Sequence, residues 1–473
     1  MSELHDLSAQ EQWSRIHRGD LSPLELATHY LDRIERLNPQ LGAFTTVTRE
    51  AALERASTLA ELVRAAAPLW GLPIGDKDLN RRAGVRTTFG SRLFEHFVPE
   101  ESDEIVEVLD NAGAVSLGKT NAPEFGMPSY TESLVAPPAR NPWNLDLGAG
   151  GSSGGAAVAV SAGLLPFAPG SDGGGSIRIP AAATGLVGLK PGRGLVPSGS
   201  GLTSLGGLVT TGPIARSVRD AAMLLDAMIA GSDYPYSVRS PQPDDGPLLG
   251  AATRGEGRFQ LAVMTTSPWD SAYDIRVSPE ARAALEFAIG ELTAIGHGVE
   301  EIALEPDDTY APAFRTVWQA GASGIPAEGD QLDLLEPLTR WLVERGRELS
   351  ARVLAEALTQ LTAFERSIIR QFKPYDAVLT PSLAQTPRPI GWYSSDDPEL
   401  NFAQQCQYTP FTSFANVTGL PAITLPVAST DEGIPMGVQL VGRPGGEATL
   451  LAIGAQLERR IGWQRRHPPA WHA

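Results

Sequence analysis

Near its start the chain places apolar residues at helical spacing. Leu24, Ala27, Leu31 and Ile34 fall on one face of a run that opens Ser22-Pro23-Leu24-Glu25. Serine followed three residues later by glutamate is a capping box, in which each side chain takes up the other residue's backbone N–H. Proline suits the first helical position because its missing N–H would have no partner there. Residues 1–65 therefore read as helices packed on a core formed by residues 66–473. From about residue 69 to 230 the texture changes to short apolar strands, glycine turns and helices, the last capped by Ser217. Residues 240–258, rich in Pro, Gly and Asp, predict a surface connection.

Beyond that connection a strand over residues 260–264 precedes a helix over 279–295, with Leu285, Ile289, Leu292 and Ile295 on one side. Residues 310–372 read as mostly helical and 380–412 as irregular. The chain closes on strands at 422–427 and 437–441 and a helix from about 448. Strands alternating with helices predict an α/β fold. The expected architecture is a single large domain whose central mixed sheet is covered by helices on both faces.

Composition narrows the function. The formal charge of −17 over 473 residues, with no dense Lys/Arg run, argues against nucleic acid or an anionic membrane as partner. The single cysteine, Cys406, excludes an intramolecular disulfide and a cysteine zinc cluster, and reads as a small filler residue. The seven histidines, His96 and His297 among them, are scattered without metal-ligand spacing, so neither metal nor cofactor is expected. The first residues lack the basic and apolar stretches of a signal peptide. The apolar run at 156–165 is too short and broken to span a membrane, and the expected location is the cytoplasm.

Gly113-Ala-Val-Ser-Leu-Gly118-Lys119-Thr120 satisfies the P-loop pattern. A true P-loop follows a strand and opens a helix whose N–H groups face phosphate. Here 103–111 reads as the helix and 114–117 as the strand, while Pro123 blocks helix continuation. A helix-to-strand turn is the better reading.

Three other segments carry chemistry: Lys77 in Leu-Pro-Ile-Gly-Asp-Lys-Asp, Ser152-Ser153 in Gly-Gly-Ser-Ser-Gly-Gly, and Ser176 in Asp-Gly-Gly-Gly-Ser-Ile-Arg-Ile-Pro. A serine hydroxyl needs a neighbouring base before it attacks a carbonyl. A buried lysine can be that base, because desolvation disfavours its charged form. Glycine N–H groups beside the serine can hold the developing oxyanion. Together these residue types make an acyl-transfer site.

The segments also resemble the amidase signature family of serine amidohydrolases, and the resemblance runs along most of the chain. Similar stretches include Gly118-Lys-Thr-Asn-Ala-Pro-Glu-Phe-Gly126, Asn141-Pro-Trp-Asn144, Thr211-Gly-Pro-Ile-Ala-Arg216 and Pro435-Met-Gly-Val-Gln-Leu-Val-Gly442. Ser152 and Ser176 are 24 positions apart, as that family's two working serines are.

The resemblance implies the amidase signature fold and a Ser–cis-Ser–Lys triad. Ser176 would be acylated. Ser152, joined to Gly151 by a cis peptide bond, would relay its proton to a neutral Lys77, which then protonates the leaving amine. The backbone N–H groups of Gly173, Gly174, Gly175 and Ser176 would form the oxyanion hole, braced by Ser153, Asp172 and Arg178.

Gly173 stands where most members carry Thr or Ile, a variant similar to the subgroup containing 6-aminohexanoate cyclic dimer hydrolase. It implies a roomier or more mobile oxyanion loop. Ile179 stands where the glutamine-hydrolysing subunits of tRNA amidotransferases carry Gln, which counts against that role. By the same resemblance, residues 310–412 form a variable pocket region, with Phe125, Met127, Trp318, Trp392 and Tyr408 as a candidate apolar wall. The expected substrate is an uncharged, hydrophobic small-molecule amide, aryl or alkyl. Ester and carbamate cleavage by the same triad stay open, as does a homodimer.

Overall fold

The predicted cap at Ser22 forms: Ser22 Oγ accepts the Glu25 N–H at 3.1 Å, and Glu25 Oε2 accepts the Ser22 N–H at 2.9 Å. The computed structural model describes residues 3–61, 67–196, 204–230 and 246–472. Helices α1 (Ala9–Arg18) and α2 (Pro23–Leu41) lead to strand β1 (Phe44–Val47) and α3 (Arg49–Glu61). β2 (Pro73–Lys77), α4 (Glu104–Asn111) and β3 (Val115–Thr120) come next. Their strands make a small sheet in the order β1-β3-β2, with β2 and β3 parallel.

The middle of the chain runs α5 (Gly154–Ser161), β4 (Phe167–Asp172), α6 (Arg178–Thr184), β5 (Val187–Lys190), β6 (Thr210–Ala215) and α7 (Val218–Ile229). After these stand α8 (Leu248–Arg254), β7 (Gln260–Met264), α9 (Pro279–Ile295) and β8 (Gly298–Ile302). Three helices, α10 (Tyr310–Ala322), α11 (Pro337–Arg347) and α12 (Ala351–Phe372), precede β9 (Ala377–Pro381), α13 (Pro398–Tyr408) and α14 (Ser413–Val417). β10 (Ala422–Ser429), β11 (Pro435–Gly442) and α15 (Glu447–Ile461) end the order.

The large sheet has eight strands in the order β4-β6-β5-β10-β11-β9-β7-β8. It is mixed: β7 pairs in parallel with β8 and β9, while the other pairings are antiparallel. Side chains alternate across a strand, and β7 shows the consequence. Leu261 and Val263 join the core that holds Ala284 and Leu285 of α9, whereas Ala262 and Met264 join a second core with Tyr310 and Phe314 of α10. Both faces are covered, as the α/β pattern predicts. The N-terminal helices share the first of these cores through Ile16, Leu26 and Ile34.

Several local expectations change. Leu24 is 38% exposed; it stands at the edge of the α2 stripe, whose buried members include Leu26, Ala27, Tyr30, Leu31 and Ile34. Ile289 and Ile295 are only half-buried. β1 lies within the stretch read as wholly helical. The connection read at 240–258 contains α8, and its first residues, 240–245, lie outside the described residues. The stretch read as irregular contains α13. Its start obeys the usual rules, with Asp397 Oδ1 accepting the Leu400 N–H at 3.0 Å and Pro398 at the first helical position. Its buried face mixes Phe402 with Asn401 and Gln405, which blurs the apolar period.

The P-loop look-alike is strand β3. Lys119 within it is fully buried and donates to Thr87 Oγ1 at 3.1 Å and to the Asn80 carbonyl. Among the described residues, no helix is long and apolar enough to cross a membrane.

Candidate active site

Lys77 is the last residue of β2 and is buried at 1% exposure. Its Nζ lies 2.8 Å from Ser152 Oγ, 2.9 Å from Ser171 Oγ and 3.2 Å from the Ser171 carbonyl oxygen. A neutral amine has two N–H groups and one lone pair. Two donations to Ser171 leave the lone pair for the Ser152 O–H. Burial pulls the Lys77 pKa down to about 7, with the Asp172 carboxylate pulling the other way. The small sheet thus delivers a lysine that can be neutral to a serine held by the larger unit.

Ser152 comes after a cis peptide bond from Gly151, just before α5. Gly151 has no room for a side chain, since a Cβ there would come within 2.7 Å of the Tyr130 carbonyl oxygen. Ser153 ties this turn to the next: its N–H donates to the Ser176 carbonyl at 3.1 Å, and its Oγ to the Ser171 carbonyl at 3.2 Å.

Ser176 lies in the turn between β4 and α6 and is 8% exposed. Its Oγ makes no hydrogen bond among the described residues, so none joins it to Ser152. Catalytic contacts of this kind often tighten only around substrate. The N–H groups of Gly173, Gly174 and Ser176 have no acceptor among the described residues. Gly175 differs, and the expectation for it is corrected: its N–H is taken by Asp172 Oδ1 at 2.7 Å. Gly175 is needed for its backbone instead. Its φ is +132°, and a Cβ would meet Thr412 Oγ1 at 2.5 Å.

Asp172 and Arg178 form the brace beneath this turn. Arg178 donates to both Asp172 oxygens, at 3.0 and 2.9 Å, to Gln439 Oε1 and Asn416 Oδ1, each at 2.7 Å, and to the Thr412 carbonyl. Burial would raise the Asp172 pKa, but the Arg178 guanidinium, Lys190 and the Asn416 amide hold it well below the usual carboxylate range. Thr412 Oγ1 also donates to the Gly174 carbonyl at 2.6 Å, fixing the loop from the far side.

Two cavities meet at Ser176. A wide one of about 590 Å³ is lined by Ser152, Ser171, Gly173, Leu205, Val209 and Val317 among others. A narrow one of about 60 Å³ is lined by Gly174, Ile179, Trp269, Phe314, Phe402 and Cys406 among others. Met127 and Trp318 line both, and Phe125 lines the wide one. Trp392 and Tyr408 line neither, which corrects the expected wall. They pack behind it, in a cluster with Ile179, Ala182 and Tyr393.

Sequence reasoning missed Ser171, Trp269, Phe314, Phe402 and Gln405. The spacing Phe402, Gln405, Cys406, Thr409 is one helix face and was a readable signal for Phe402 and Gln405. Cys406 is both a filler and a wall residue, its thiol pushed up by burial. Among the described residues, the metal-capable group is Glu3, His5 and His29, outside both cavities. His5 Nδ1 and His29 Nε2 are hydrogen-bonded to each other at 3.1 Å.

The Amidase family pattern matches residues 25–451. AmiB2 of Mycobacterium tuberculosis (strain ATCC 25618 / H37Rv) is 38% identical over 473 residues, covering 99% of each chain. A glutamyl-tRNA(Gln) amidotransferase subunit of Carboxydothermus hydrogenoformans is 34% identical, covering 98% of this chain and 99% of its own. The solved structure of 6-aminohexanoate cyclic dimer hydrolase in complex with substrate superposes with a TM-score of 0.90 at 29% identity, covering 99% of this chain and 100% of that one.

Fold and matches together define an amide hydrolase. The chain belongs to the amidase family, the amidase-signature enzymes.

Proposed function

We propose that the protein hydrolyses hydrophobic carboxamides through an acyl-enzyme on Ser176. Ser176 Oγ bonds to the carbonyl carbon while its proton passes through Ser152 to the neutral Lys77. The N–H groups of Gly173, Gly174 and Ser176 hold the oxyanion. The C–N bond breaks, and Lys77 returns the proton through Ser152 to the leaving amine. Water attacks the acyl-enzyme by the same route, releasing the acid and restoring Ser176. The observation that carries this reading is the buried Lys77 Nζ at 2.8 Å from Ser152 Oγ, with Ser171 occupying its other hydrogen-bonding directions.

The apolar wall of the narrow cavity supports an uncharged acyl group. The narrow cavity's lining contains no carboxylate, lysine or arginine, so a glutamine substrate would leave its ammonium and carboxylate unpaired there. This favours a hydrolase over an amidotransferase subunit. Esters and carbamates place the same demands on Ser176, with a better leaving group.

One acyl group presented as primary amide, anilide, carbamate-linked aniline and ester, assayed on wild type and Ser176→Ala, tests the reading. Amide turnover that disappears in the variant is the expected result; equal turnover in both proteins would remove Ser176 from the chemistry.

A further inference from the structure

The two cavities differ in which part of the relay they reach. Ser152 and Ser171, the two hydroxyls on Lys77, line the wide cavity and not the narrow one. Gly173 faces the wide cavity and Gly174 the narrow one, so a carbonyl oxygen held by their N–H groups sits at the border. The leaving nitrogen must receive its proton from Ser152. It therefore lies on the wide side, and the substituent on the carbonyl carbon points the opposite way, into the narrow cavity.

That cavity is small. At about 60 Å³ it falls well below the roughly 150 Å³ that an apolar protein cavity uses to hold one benzene. Its far wall is one face of α13, with Phe402, Gln405 and Cys406 at i, i+3 and i+4, continued by Thr409. Gln405 is fixed there: its Oε1 accepts the Ser129 N–H at 2.7 Å and its Nε2 donates to Asn401 Oδ1 at 2.7 Å. Phe402 packs edge-on against Trp269 at 6.2 Å between ring centroids, and Trp269 Nε1 donates to Ser413 Oγ at 2.9 Å. A wall so tied cannot swing aside cheaply to admit a longer chain. The wide side holds nearly ten times the volume.

We propose that α13 is an acyl-length ruler, which makes the substrates amides of short, uncharged acyl groups carried on bulky amines, anilides among them. Any aryl ring belongs on the nitrogen and not on the carbonyl. Phe402 and Cys406 are the specificity-determining residues. The inference rests on Ser176 being the acylated residue.

Two substrate series test it on the full-length enzyme. In one, the 4-nitroanilide leaving group is constant and the acyl group grows from acetyl to butyryl, octanoyl and benzoyl. In the other, acetyl is constant and the amine grows from ammonia to aniline to naphthylamine. We expect kcat/KM to fall at least about tenfold from butyryl to octanoyl or benzoyl, the range a hydrophobic pocket commands over misfit chain length. Growth on the amine side should cost less than that. Phe402→Ala should raise the benzoyl-to-acetyl ratio of kcat/KM at least about tenfold, and the pocket-filling Cys406→Leu should lower the butyryl-to-acetyl ratio by a similar factor.

Two variants of opposite sign guard against loss of folding in either one. Flat acyl dependence, or an acyl profile that neither variant moves, would overturn the ruler. Intact-mass detection of the acyl adduct separates the two claims. Adducts forming equally well with every acyl length would sink the ruler and leave the Ser176 reading standing. No turnover and no adduct with any substrate would sink both.

Discussion

The two linked turns that carry Ser152 and Ser176 and the wall that α13 helps to form are built by different means. In the turns, backbone geometry and buried polar pairs leave almost no freedom: Gly151 and Gly175 cannot accept a side chain, and Asp172 has partners on both oxygens. In the wall, Trp269, Phe314, Phe402 and Cys406 fill space around a cavity without ionisable contacts to it. The turns are specified residue by residue, while the wall is specified largely by volume and pinned by hydrogen bonds at Gln405 and Trp269. On the proposed mechanism chemistry and selectivity are then separable, and substitutions in the two regions should fail in different ways.

The sharpest contrast comes from Lys77→Ala. Removing the proposed base should lower amide kcat by about a thousandfold or more for every acyl group alike, as deletion of one member of a serine triad does. A loss confined to some acyl groups would break the division between regions. Arg178→Met should act on folding. It strands the buried Asp172 carboxylate, a loss of about 3–5 kcal/mol when one partner of a buried pair is removed. A large fall in thermal midpoint is the expected reading; an unchanged midpoint would mean that the turn is not braced as described.

Acidity provides a finer probe. In the proposed mechanism Lys77 must be neutral to accept the proton, and burial pulls its pKa down to about 7. Activity should therefore rise with pH, climbing about tenfold per unit below pH 7 and levelling above it. The same limb should appear with short and long acyl groups, because the wall carries no group that titrates in that range. An inflection that moved with acyl length would blur the comparison. The smallest effect belongs to Trp392→Ala. This residue packs behind the wall, so kcat/KM should change by less than about threefold, the scale of ordinary substitutions away from a site.

The same difference explains what could be read from the sequence. Lys77, Ser152, Ser176, Asp172 and Arg178 sit in short glycine-containing segments whose composition reflects backbone demands, so they stand out in one dimension. Ser171 does not stand out, because its role comes only from the approach of β4 to the end of β2. The α/β alternation was legible, since strands such as Gln260–Met264 and helices such as Pro279–Ile295 carry clear apolar patterns. α13 was not, because its buried face mixes Phe402 with the amides of Asn401 and Gln405. Trp392 and Tyr408 were plausible wall residues by type. Only packing shows that they stand one layer behind Ile179.

Peptide mapping by mass spectrometry of enzyme quenched during turnover of an activated acetyl ester, on wild type and Ser176→Ala, tests the central claim most directly. The account predicts an acetyl group on the peptide carrying Ser176 in the wild type and none in the variant. Acetyl found on Ser152, or turnover by the variant without any acylated peptide, would contradict it.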